Sequence, residues 1–239
     1  MTWLPGFTSV EGPVYGQSVL RYRAVRESDG APAWVRVDAH APDDVRAARS
    51  LGRIYAATAA FDSPDLPPVL AYGPTEIAGR PFIAFRLSRS ESGSPPVDHS
   101  DSPFREVLAE LQLVAYENGL LGIHLPAEEL ERTRSGERAV DRRLPAREFV
   151  AEPRRPDGRS VLWGALPDDE WHPFTAPELL DGKPARNLSV RQALAYRVGA
   201  HLHYLRTGER PGPSADGVHA DPALDVHAAR RPPLETLIA

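Results

Sequence analysis

The stretch Gly119–Leu130, "GLLGIHLPAEEL", decides how the rest of the chain is read. A glycine turn leads into a short apolar strand, the strand into a polar loop, and the loop back to an apolar residue. Polar side chains held at the end of a strand are where chemistry is expected. Immediately upstream, "FREVLAELQLVAYENG" carries Phe104, Val107, Leu108, Leu111, Val114 and Ala115 on one helical face and stops at Asn118-Gly119. The local order is therefore helix, turn, strand, loop.

Working outward, "SVLRYRAVRESDGAPAWVRVDA" reads as two strands joined by a turn at Asp29-Gly30. In the stretch that follows, Asp43 or Asp44 caps a helix whose apolar positions Val45, Ala48, Leu51, Ile54 and Tyr55 lie near helical spacing, and "DSPDLPP" stops it. Two more strands follow in "PVLAYGPTEIAGRPFIAFRL", turning around Ala78-Gly79. The first third is β-rich with one helix. Residues 88–103, "SRSESGSPPVDHSDSP", have almost nothing apolar to bury and read as a linker. Beyond the opening stretch lie an irregular Arg-rich region and a last long helix ending at Gly208. No internal repeat is evident.

The bounds are mild. The chain of 239 residues is long enough for one sizeable core or two lobes that share one. A net charge of -5 argues against a nucleic-acid partner, because a surface that neutralises phosphates needs excess Lys and Arg on one face. The absence of cysteine excludes disulfides and cysteine zinc sites. No run approaches the ~18 apolar residues of a membrane span, and the N-terminus has no leader pattern. A soluble, cytoplasmic protein is expected.

Three landmarks in this order resemble the protein kinase fold of the bacterial Ser/Thr type. "RYRAVRESDGAPAWVRV" resembles the second and third strands of the family's small lobe, and "AYENGLLGIHLPAEEL" its catalytic loop with the preceding helix. "FTAPELL" contains an intact Ala-Pro-Glu motif at Ala176, Pro177 and Glu178. "YRVGAHLHYLRTGERPG" adds a fourth match, so the resemblance covers most of the chain, from about Val14 to Pro211. It implies an α+β, two-lobed fold: a β-rich N-lobe with one main helix over 1–87, a hinge over 88–103, and a mainly helical, shortened C-lobe over 104–239.

The family's catalytic positions are changed. Its loop reads His-Arg-Asp-Leu-x-x-x-Asn, and here Gly122, Ile123, His124, Leu125, Pro126, Ala127, Glu128 and Glu129 take those places, so only the leucine survives. His124 stands where the substrate-orienting Asp belongs and Glu129 where the magnesium-holding Asn belongs. A base at His124 and a metal ligand at Glu129 are chemically conceivable, but the plainer expectation is that both face solvent in the loop. Arg36 replaces the phosphate-binding Lys, and the next helix offers no acid from Val45 to Phe61 to pair with it. The glycine-rich loop is reduced to Gly12 and Gly16. No Asp-Phe-Gly occurs, Asp141 lying near its place, and Leu194 replaces the Asp that braces the loop.

The resemblance therefore implies a catalytically dead pseudokinase that binds or scaffolds another protein, with no cofactor, no metal and weak or absent ATP binding. The alternative is an atypical nucleotide-dependent transferase using Arg36 with His124, Glu129 or Asp141 as substitute ligands. Trp34 shares a strand face with Arg36 and is expected to fill the adenine slot. The family's Arg partner for Glu178 lies beyond the last residue here, so Arg230 or Arg231 is expected to replace it, unless the carboxylate is exposed or the chain is a piece of a longer protein. His201 and His203, at i and i+2 on a helix, point to different sides and are read as ordinary helix residues. The acids Asp168, Asp169 and Glu170 read as a solvated loop, and the Arg-rich region 132–159 as a mobile loop or a dock for an acidic partner.

Overall fold

The computed structural model describes residues 3–15, 19–39, 45–76, 78–87, 102–134, 147–155, 160–162, 164–166, 168–180 and 190–211. Five strands, β1 (Phe7–Tyr15), β2 (Val19–Arg26), β3 (Pro32–Asp38), β4 (Val69–Pro74) and β5 (Pro81–Arg86), form an antiparallel sheet in the order β1-β2-β3-β5-β4. The β2–β3 turn lies at the expected place. Gly30 takes a φ of 67° that a Cβ would resist, and Asp29 fixes the turn by accepting from the Ala31 amide at 3.1 Å and from Arg26 at 2.9 Å.

Strand parity divides the sheet into two chemical faces. Ala33, Val35 and Val37 of β3 join Leu4, Phe7, Ala24, Phe82 and Ala84 in an apolar layer on the outer side. The alternate residues Trp34, Arg36 and Asp38 take the inner side and are buried as well. The helix α1 (Val45–Ala60) packs on β4 and β5 through Leu51, Ile54 and Tyr55. Its buried stripe is Ala47, Leu51, Ile54, Tyr55 and Thr58. Val45, expected on that stripe, is exposed, because at 3.6 residues per turn position 45 falls on the opposite side of the helix.

The rest is mainly helical: α2 (Ser102–Glu117), α3 (Ala127–Arg134), α4 (Asp168–Trp171), α5 (Pro177–Leu180) and α6 (Val190–Thr207), with a tight helical turn at His172–Phe174. A two-stranded sheet of β6 (Leu120–His124) and β7 (Val150–Pro153) runs through this part. α2 starts at Ser102, two residues inside the stretch assigned to the hinge, and 88–101 lie outside the described residues. One continuous core joins the two parts: Leu51, Ile54, Tyr55, Ile83 and Phe85 from the sheet and α1 meet Leu108, Ile123, Phe149, Val150 and Phe174. No helix among the described residues is long and apolar enough to cross a membrane.

Candidate functional site

The opening loop lies where the sequence puts it, with a different environment. β6 ends at His124 and α3 begins at Ala127, so Leu125 and Pro126 make the connection, and Pro126 accepts hydrogen bonds from the Glu129 and Leu130 amides. His124 and Glu129 do not face solvent: the first is fully buried and the second is 1% exposed. The Glu129 Oε2 accepts from the Arg147 amide at 2.7 Å. The His124 ring lies 5.9 Å from Phe174 and 6.1 Å from His201 of α6, so elements distant in sequence close over it. Neither ring nitrogen makes a hydrogen bond of good geometry among the described residues, although the Glu170 backbone passes close by.

Burial, the nearby His201, and the charges of Arg197 and Arg36 push the His124 pKa well below its ordinary value. His201 is pushed down to about 3, again by burial first and by Arg197 second. Its Nδ1–H donates to the Arg197 carbonyl at 2.8 Å, the Leu125 backbone also lies close to the ring, and the ring stacks on Phe174 at 4.9 Å. Both imidazoles are therefore neutral at physiological pH. His203 does diverge from His201 along α6, being only half-buried.

The loop strand is braced by a set of residues that the family pattern does not contain. Leu194 is buried and apolar, and bracing comes instead from α2: Gln112 donates to the Ile123 carbonyl at 3.0 Å and accepts from the Ile123 amide at 2.9 Å. On α6, Arg197 pairs with Glu152 of β7, whose other oxygen accepts from the Ser160 hydroxyl. Gly122 makes room for both. Its φ is 151°, and a Cβ there would sit 2.6 Å from the Gln112 Oε1 and 2.8 Å from the Arg197 Nη1.

Across from the loop, Arg36 is 1% exposed; both terminal nitrogens are engaged, and its Nε has no hydrogen-bond partner among the described residues. It holds Glu170 of α4 in a two-bond grip, at 2.7 Å and 3.2 Å, and its Nη1 lies 3.8 Å from Glu148. Burial alone would weaken the guanidinium charge, but Glu170 and Glu148 outweigh it and raise the pKa well above the usual value. Arg21, the cross-strand neighbour of Arg36, also reaches Glu148, with bonds of 2.8 Å and 2.5 Å, and pairs with Glu128 of α3 at 2.9 Å. Glu170 is thus not part of a solvated loop. Asp168, Asp169 and Glu170 open α4, and Glu170 turns inward because a buried cation 134 residues away has to be matched.

Tyr55 is the α1 residue beside this ion cluster. It is buried, its hydroxyl has no hydrogen-bond partner among the described residues, and burial, opposed by Arg36, raises its pKa. Trp34 is 3% exposed on the same strand face as Arg36, with the Arg147 guanidinium 6.0 Å from its ring. Glu148 and Phe149 lead directly into β7, the strand beside β6. Phe149 packs 5.5 Å from Phe85 and 6.4 Å from Phe61, and the Thr58 hydroxyl of α1 accepts from the Ala151 amide at 2.8 Å.

Ala176 is buried against Leu121, Leu179 and Ala193, and Pro177 opens α5. The Glu178 side chain, Arg230, Arg231, Asp141 and Gly16 lie outside the described residues. Among the described residues, no group of three His, Asp or Glu side chains is placed to hold a metal ion.

Glu148, Glu152, Arg21 and Gln112 were not singled out from sequence, and Glu170 was read only as one of three acids in a solvated loop. Their partners are 8 to 134 residues away, and no local pattern encodes such pairs.

No family model matches the chain, and no curated protein does. Among solved structures, the PknI kinase domain of Mycobacterium tuberculosis matches with a TM-score of 0.50 at 16% identity, over 87% of this chain and 77% of that one. A double mutant of the same domain matches with a TM-score of 0.51, also at 16% identity, over 87% and 75%. Sheet, loop strand and Ala-Pro-Glu helix occur in the order the sequence resemblance implies, and the chain has a bacterial protein kinase-like fold.

Proposed function

We propose that the protein is a pseudokinase, a kinase-like domain without phosphoryl-transfer activity, that acts in the cytoplasm by binding or scaffolding another protein. The observation that carries this reading is the state of Arg36. Phosphoryl transfer works by positioning and by stabilising charge on the transferred group, and in kinases the strand cation is held by a glutamate of the following helix in an orientation that still meets phosphate. Here that cation is buried and gripped at both nitrogens by Glu170, with Glu148 beside it. A phosphate would have to displace a carboxylate that already holds both terminal nitrogens of the guanidinium. The place of Trp34 supports the reading, because an indole on the Arg36 face takes up volume that adenine needs.

The rival reading, an atypical transferase using Arg36, His124, Glu129 or Asp141, draws less support. His124 and Glu129 are closed off from solvent, and His124 has the Glu170 backbone and the Phe174 ring where a substrate hydroxyl would have to approach.

Incubation with radiolabelled ATP and Mg or Mn decides between them. The expected result is no transfer or hydrolysis and no change in melting temperature, whereas a ligand binding only the native state at 100 times its Kd would add about 2.7 kcal/mol. Turnover that disappears in Arg36→Ala would establish the enzyme instead. Affinity capture from the native host, with a hit lost on alteration of this domain's surface, tests the binding role.

A further inference from the structure

We infer that Arg21 and Glu148 join the two lobes in place of a bound nucleotide, so that the lobes hold one fixed arrangement without any ligand. The inference rests on the pseudokinase reading and adds to it what fixes the geometry of the module. Two arginines on facing positions of β2 and β3 project from the sheet lobe, and the carboxylates they meet come from three separate segments of the other lobe: Glu128 on α3, Glu148 before β7, and Glu170 on α4.

Glu148 is the hub. It is fully buried, takes two bonds from Arg21 on one oxygen, and lies within ion-pair reach of Arg36. Arg21, at 3% exposed, is the only residue of the five that bridges an interior carboxylate and a surface one, since half of the Glu128 side chain is open to solvent. In a kinase the junction between the lobes is where phosphates and metal ions neutralise one another. Here a mixed set of fixed charges performs that neutralisation within the chain itself.

Two further contacts flank the hub in sequence and space. Phe149, next to Glu148, sits between Phe61 and Phe85 of the sheet lobe. The Ala151 amide donates to Thr58 of α1. Together they immobilise the backbone that carries Glu148, so the hub carboxylate is held in place before Arg21 engages it.

The test measures the distance between the lobes. The chain has no cysteine, so spin labels on Arg53→Cys of α1 and Glu117→Cys of α2, both exposed, report it without background. The unmutated background should give a single narrow distance peak, unchanged by ATP with Mg. Glu148→Gln and Arg21→Gln, each with native far-UV circular dichroism, should broaden or shift that peak. If either fails to fold, the paired Arg21→Met/Glu148→Met variant replaces it: it strands no charge, and two flexible thioethers cannot fix one geometry, so broadening is again expected. Folded variants that keep the narrow peak would overturn the inference. A peak that is broad without nucleotide and narrows with ATP and Mg would overturn the inference too, whereas the pseudokinase reading on which it rests falls only if the labelled-ATP assay shows turnover.

Discussion

Acid should weaken this protein through His201, and the size of the effect follows from its surroundings. The ring is fully buried, stacked on Phe174 and adjacent to Arg197, and its pKa stands at about 3. In the unfolded chain the same imidazole titrates near 6.5. The unfolded state therefore takes up the proton first. Stability from this group is complete above about pH 6.5 and is lost as the pH falls below it. Between pH 7 and pH 5 the loss is about 2 kcal/mol, a figure that barely depends on where the folded value lies as long as it is below about 4. His124 adds a loss of the same sign, since its pKa is also depressed.

To isolate His201, urea unfolding curves of the wild type and His201→Phe are compared at several pH values. Phenylalanine keeps the stack on Phe174 but removes both the titration and the hydrogen bond to Arg197. The variant should be about 1 kcal/mol less stable at pH 7, for the lost bond, and about 1 kcal/mol more stable than wild type at pH 5. The two curves of stability against pH should cross near pH 6. Parallel curves would refute the argument, because they would mean that His201 charges as readily in the folded protein as in the unfolded chain.

Gly122→Ala should cost about 1 to 3 kcal/mol, read as a lowered urea midpoint, because the backbone is left-handed there and a Cβ would press on Gln112 and Arg197. Arg197→Met, which strands the buried Glu152 carboxylate, should cost about 3 to 5 kcal/mol by the same assay. Gln112→Leu leaves the Ile123 amide and carbonyl without partners and should cost about 2 to 4 kcal/mol, with faster amide exchange confined first to β6. Trp34→Ala should cost about 3 to 5 kcal/mol, and a melting-temperature rise with ATP and Mg should occur in that variant and not in the wild type.

What the sequence disclosed was what short-range periodicity encodes. The β2–β3 pair, α1, the β4–β5 pair, α2 and α6 all stand near their expected places, because alternation, helical spacing and turn residues act within a few positions of one another. The shared face of Trp34 and Arg36 followed from strand parity alone. The site was less legible. His124 and Glu129 look like loop polars in isolation, and only the arrival of α6 and the 168–174 segment buries them. Glu170 was hidden among three consecutive acids, which usually mark a solvated surface. Its inward turn is decided by Arg36, and a pair separated by 134 residues leaves no local trace. Glu148 escaped notice because its partner Arg21 lies 127 residues away and leaves no local pattern.

Gly122 also constrains the order in which substitutions can be acquired. A histidine restored there would meet the Gln112 carbonyl and the Arg197 guanidinium. Removing Gln112 first deprives Ile123 of both its backbone partners, and removing Arg197 first strands Glu152. Each single step toward histidine at 122 thus passes through a less stable intermediate. The position is locked by its neighbours, and glycine is expected to persist there for as long as Gln112 and Arg197 remain.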